Sequence, residues 1–115
     1  MASNVILFGW NRSIPGREKT SAQHFQDFVA YLGGLQQAGT IRSFEPVLLK
    51  AHGGDMNGFV LIHGEGAKLS ALMESDTWTT HMLRAALHLE GSGAVLGATG
   101  DLIPGLMALW QSLLS

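Results

Sequence analysis

The apolar positions of this chain change spacing several times, and each change marks an element. Asn4 to Trp10 is a short apolar run closed by Asn11-Arg-Ser13 and Pro15-Gly16, turn formers through the fixed φ of proline and the permissive φ of glycine. As a pleated strand it places Ile6, Phe8 and Trp10 on one face and Val5, Leu7 and Gly9 on the other. Both faces are apolar, which predicts a central strand. Thr20-x-x-Gln23 has the form of a capping box and predicts a helix start. Phe25, Phe28, Val29, Leu32 and Leu35 then fall on one helical stripe, and Gly39 suits a left-handed C-terminal position. Gly33-Gly34 within the helix predicts a local break or a close backbone neighbour.

Thr40 to Glu65 reads as one β-hairpin, with strands at Phe44 to Leu49 and Phe59 to Ile62 and a turn at His52-Gly-Gly-Asp55. Ile41 and Phe44 fall out of alternation, predicting a bulge, and Pro46 predicts an edge strand. Lys68 to Met73 reads as a short helix. Ser75-Asp76 caps a further helix expected to run to about Leu89, with Trp78, Met82, Ala85 and Leu89 inward and Thr80, His81, Arg84 and His88 on a solvated polar arc. Leu83 and Leu87 belong to neither set, which points to a contact outside the monomer. After Glu90-Gly-Ser-Gly93, Ala94 to Leu102 reads as a strand, and Pro104 opens a C-terminal helix with Leu106, Leu109, Trp110 and Leu113 along one side.

The order β-α-β-β-α-β plus a terminal helix predicts an α+β, ferredoxin-like antiparallel sheet with both helices on one face, as a single domain over residues 1–115. The other sheet face would be apolar and bare, so it is expected to meet a second copy in a homodimer. Composition points the same way: 46% of the 115 residues are apolar and 14% charged, a thin polar coat for so small a body. The net charge of -2, with scattered Lys and Arg, gives no footprint for nucleic acid or an anionic membrane. Zero cysteines exclude disulfides and thiolate chemistry, and with no leader or membrane-length apolar run the expected location is cytoplasmic.

From Val5 to Leu102 the layout resembles the dimeric α/β-barrel superfamily, which includes antibiotic-biosynthesis monooxygenases and muconolactone isomerases. Ser75-Asp-Thr-Trp78 followed by Gly91-Ser-Gly-Ala-Val-Leu-Gly97 carries the resemblance. It implies two sheets closing into a shared barrel, with small ligands held between a monomer's sheet and its helices. Haem-degrading members use an Asn, a Trp and a His, and Asn4 or Asn11, Trp78 and His81 are the same residue types at a different spacing. No haem role follows, and no cofactor is expected.

The candidate chemistry is correspondingly sparse. His24 and Tyr31 share one edge of the first helix beside Phe28, where a pocket between helix and sheet would have them at its rim. His63 shares a face with Phe59 and Leu61; turned inward and paired with Glu45, it would put an acid and a base in one dry pocket. His63 and His24 are therefore the candidate acid–base residues, with Tyr31, Phe28, Trp78, Glu45 and Trp10 as the lining. On a continuous helix His81 and His88 stand about 10.5 Å apart, too far for one metal ion, and no metal site is expected. Gly91-x-Gly93-x-x-x-Gly97 follows a helix and enters a strand, the reverse of a dinucleotide fingerprint. Two functions remain: a homodimeric protein binding a small apolar or aromatic molecule between sheet and helices, or a small cofactor-free oxygenase or isomerase of the antibiotic-biosynthesis type.

Overall fold

In the computed structural model, which describes residues 1–114, the elements in chain order are β1 (Val5–Trp10), β2 (Arg12–Ser13), α1 (Glu18–Gln37), β3 (Ser43–Leu48), β4 (Gly58–His63), α2 (Gly66–Met73), α3 (Asp76–Ala86), β5 (Leu89–Glu90), β6 (Gly93–Gly97) and α4 (Ile103–Gln111). The main sheet has the order β3-β4-β1-β6 and is antiparallel throughout. β1 is central, as its two apolar faces require, and β3 is an edge, where Pro46 lacks no ladder partner it needs. This is the ferredoxin-like α+β arrangement expected from the element order. β2 and β5 form a separate two-stranded ladder.

Register decides which side chains meet. Ile6 lies opposite Ile62 and Leu96, and Phe8 opposite Val60 and Ala94. That face packs against Phe28 and Leu32 of α1, Leu69 and Leu72 of α2, and Trp78 and Ala85 of α3, which together form the buried core. The opposite face presents Leu7, Phe59, Leu61 and Val95, and Val95 is 61% exposed.

Several local expectations are corrected. α1 begins two residues before Thr20, after the Pro15-Gly16 turn, and no side chain caps it; Gln23 bonds Asp27 instead. The helix runs unbroken through Gly33-Gly34, and a methyl group on either would meet nothing within 4 Å, so neither residue marks a close approach. Gly39 does adopt the left-handed conformation beyond the helix, at φ 78°. β3 pairs with β4 continuously from Ser43 opposite His63 to Leu48 opposite Gly58, which leaves no bulge; Ile41 sits before the strand and is buried separately. α3 stops at Ala86 rather than Leu89 because the backbone tightens, with Leu87 and His88 N–H groups donating to Arg84 and Ala85 carbonyls, and Leu89–Glu90 is claimed by the ladder with β2. β6 ends at Gly97, and Gly100–Leu102 is a 3-10 turn instead of strand.

α4 buries no residue, and Leu109, Trp110 and Leu113 are more than half exposed. The chain's radius of gyration is 15.7 Å, against about 13 Å for a compact chain of this length. No helix among the described residues is long and apolar enough to cross a membrane.

Candidate functional site

Three histidines from two elements and the turn after α3 meet beneath α1. His24 belongs to the stripe His24, Phe28, Leu32, the buried residues of that helix. Spacing of four residues stacks them on one face. His81 lies between Trp78 and Ala85 on the buried side of α3, held at the helix start by the Ser75 hydroxyl, which accepts from the Trp78 N–H at 3.3 Å. His88 follows α3, and its carbonyl accepts from the Ile14 N–H at 2.8 Å while Asn11 donates to Glu90. The β2–β5 ladder thus folds His88 back over the first turns of α1. His24, His81 and His88 are 4%, 8% and 2% exposed.

Their ring nitrogens form one line. His24 Nδ1 lies 2.8 Å from His88 Nε2, and His24 Nε2 lies 3.0 Å from His81 Nδ1. The Ser21 hydroxyl is 2.7 Å from His88 Nδ1 and is itself hydrogen-bonded to the Ser13 hydroxyl. A neutral imidazole carries one N–H and one lone pair, so each ring donates at one nitrogen and accepts at the other. Fixing one tautomer therefore fixes the next, and the run points either toward Ser21 or toward His81. Because His24 spends its two nitrogens on different rings, the three do not converge on one point, and no group among the described residues is arranged to hold a metal ion.

Electrostatics keep the rings neutral. Burial, then the Arg84 guanidinium, then the neighbouring rings hold the His24 pKa at about 4, against an ordinary 6.5, with Asp27 opposing. His81 is lowered by burial and by Arg84, and His88 by burial, Arg84 and Arg17. Arg84 is anchored on Asp27 at 2.8 Å, and that hydrogen bond, with one from Gln23, holds the Asp27 carboxyl below its ordinary range. Tyr31 stacks on His81 with ring centroids 4.5 Å apart. Burial raises its phenol pKa, which the nearby Ser75 side chain partly offsets.

Beside this line, between α1 and the sheet, is a pocket of about 360 Å³. Phe8 and Trp10 of β1, Phe25 and Phe28 of α1, Leu48, Val60 and Leu89 give it an apolar lining; the hydrogen-bonded Ser21, His24 and His88, together with Gln26, are its polar residues. Trp10 and Phe25 meet edge to face at 6.4 Å.

The residues expected from sequence divide here. His24, Phe28 and Trp10 are brought together at the pocket. Tyr31 lines a separate, shallower depression with Leu35, Lys68 and Leu72. Trp78 is 2% exposed inside the core and lines neither pocket. His63 is on the outer sheet face, opposite Ser43, while Glu45 is exposed opposite Leu61. No hydrogen bond or ion pair joins His63 to Glu45 among the described residues, so the expected dry acid–base pair is absent; pleating sends both away from the helices. The polar arc with His81 and His88 is likewise corrected, both being buried. Asn4 bonds Thr99 in both directions and serves the chain end.

Sequence reasoning passed over His88, His81 and Ser21 as site residues. Positions 78, 81 and 85 do have the spacing of one buried stripe, which could have placed His81. His88 had no such signal, since its position depends on a ladder of two residues per strand.

No family model and no curated protein matches the chain. Among solved structures it is similar to a dimeric protein of unknown function and ferredoxin-like fold from Bacteroides fragilis, with TM-score 0.58 and 12% identity over 83% of this chain and 95% of that one. It is also similar to SnoaB, a cofactor-independent oxygenase from Streptomyces nogalater, with TM-score 0.55 and 14% identity over 87% and 96% of the two chains. At this identity the likeness establishes the ferredoxin-like fold.

Proposed function

We propose, from the premise that this is a ferredoxin-like α+β chain with an aromatic pocket under its first helix, that it acts as a homodimer and binds a small aromatic molecule in that pocket. The observation that carries this reading is the lining: four aromatic rings around about 360 Å³, with Ser21, His24, Gln26 and His88 as its polar members. Apolar pockets of this size with a few convergent polar groups are the usual form of a small-molecule site. Isothermal titration with 4-nitrophenol tests it. Trp10→Ala removes one ring of the lining and is expected to weaken binding about tenfold, near 1.4 kcal/mol. Equal affinity in both proteins, or none in either, overturns the reading.

The homodimer reading is supported by the apolar outer sheet face, by the uncovered apolar side of α4, and by the dimeric state of the Bacteroides fragilis protein. Val95→Asp introduces a charge that the two-fold interface would bury twice, and is expected to weaken dimerisation at least about thirtyfold, roughly 2 kcal/mol. The residue is exposed in the single chain, so folding should change little. Sedimentation of both proteins checks this; identical mass distributions would remove the sheet face as the interface.

A second reading is a small cofactor-free oxygenase or isomerase. It is favoured by the histidine wall of the pocket and by the likeness to SnoaB. Dioxygen uptake or isomerised product in the presence of a bound phenol would separate it from simple binding.

A further inference from the structure

We infer that Ser21, His88, His24 and His81 form a proton wire joining the pocket to solvent, and that the pocket's ligand carries an ionisable hydroxyl, phenolic or enolic, at the Ser21 end. The ligand end of this inference rests on the pocket reading above. The wire itself rests on geometry within the chain.

Each link can both accept and donate. Ser21 lines the pocket, its hydroxyl is 2.7 Å from His88 Nδ1, and the two ring-to-ring contacts beyond it are 2.8 and 3.0 Å. The far end is open. No buried side-chain nitrogen or oxygen among the described residues lacks a hydrogen-bond partner. His81 is hydrogen-bonded through Nδ1 alone, so its Nε2 meets solvent through the 8% of the residue left exposed.

With all tautomers pointing outward, the ligand hydroxyl passes its proton to Ser21 Oγ and the Ser21 proton moves to His88 Nδ1. The His88 Nε2 proton moves to His24 Nδ1, the His24 Nε2 proton to His81 Nδ1, and the His81 Nε2 proton to water. One proton leaves the ligand, one reaches solvent, and every ring ends neutral in its other tautomer. The charged groups facing the run are Arg84, Arg17 and Asp27. The two arginines disfavour an imidazolium that stops along the way, so a concerted passage suits this surrounding better than a stored charge. A purely structural cluster would be served equally well by static tautomers and would need no opening at both ends.

Two measurements test it. Ring ¹⁵N spectra of the intact protein report the tautomer of each histidine. Ser21→Ala is expected to shift the His81 ring resonances, two rings away from the change. Unmoved His81 resonances overturn the wire, whatever the pocket binds. In the second measurement, 4-nitrophenol bound in the pocket is taken through a rapid pH jump and its ionisation is followed by absorbance. His81→Asn keeps a hydrogen-bonding group beside His24 but gives the proton no exit. It is expected to slow the relaxation at least tenfold while affinity stays within twofold. Equal relaxation overturns the wire and leaves the pocket standing. Failure of 4-nitrophenol to bind removes the pocket reading and leaves the wire to the ¹⁵N result, which also decides if His81→Asn does not fold.

Discussion

Acidification from pH 7 to pH 4 is expected to strip about 3 kcal/mol of folding stability through His24 alone. In the unfolded chain His24 takes a proton near pH 6.5, whereas in the folded protein burial and Arg84 delay this to about pH 4. Between those values the unfolded state binds more protons, so stability rises with pH there and is lost as pH falls. Above 6.5 the contribution is intact; below about 4 both states are charged and the loss is complete. His81 and His88 are lowered in the same direction and add to the effect. A proton on one ring opposes a second on the next, which spreads the transition over a wide span of pH. Asp27 acts in a lower window, because its carboxylate is lost only below its ordinary 3.8. Urea midpoints between pH 7 and 4, at fixed protein concentration, check the prediction. His24→Gln should start less stable yet show a shallower slope, since the group with the largest shift is gone. A flat midpoint across that range in the parent protein would mean that the rings are not held neutral.

The same cluster shows what the sequence could reveal. Strand and helix order were legible because period-2 and period-3.6 patterns are properties of neighbouring residues: β1 reads as central from two apolar faces, β3 as an edge from Pro46. Helix caps were legible where a side chain does the capping, as at Ser75, and misread where none does, as at Thr20. The site was harder. His63 and Glu45 share one face of the hairpin, as alternation required, but which face turns inward depends on where α1 and α3 pack. His24 was placed at an edge of α1 because the expected stripe took in Phe25 and Val29; in the structure Phe25 turns to the pocket rim beside Trp10, and the fully buried stripe is His24, Phe28 and Leu32. His88 lay beyond any local rule, since separations of 64 and 67 residues divide it from the His24 and Ser21 groups it bonds.

Trp78→Ala is expected to cost about 3–5 kcal/mol, as for other large-to-small changes in a packed interior. The ring is 2% exposed and packs edge-on against Phe28 at 5.8 Å, where α1 and α3 cross above the sheet. Its removal leaves a void bounded by elements fixed at both ends, α3 by its Ser75 cap and α1 by its stripe on β1, so collapse into the space is limited. Against a total of roughly 5–15 kcal/mol for a chain of this size, the variant should sit close to its unfolding threshold at room temperature. Trp78→Phe fills much of the volume and should cost well under half as much. Trp110→Ala, at 56% exposure on α4, should leave the single chain's stability within about 0.5 kcal/mol. Denaturant midpoints of the three variants, read with 4-nitrophenol affinity, also separate two roles for Trp78. If the ring is core, binding falls only as folding fails, and ligand affinity extrapolated to the folded fraction is unchanged. A stable Trp78→Ala protein with lost affinity would instead make this tryptophan part of the ligand site, and would require the pocket to extend past Phe28 into what is here solid packing.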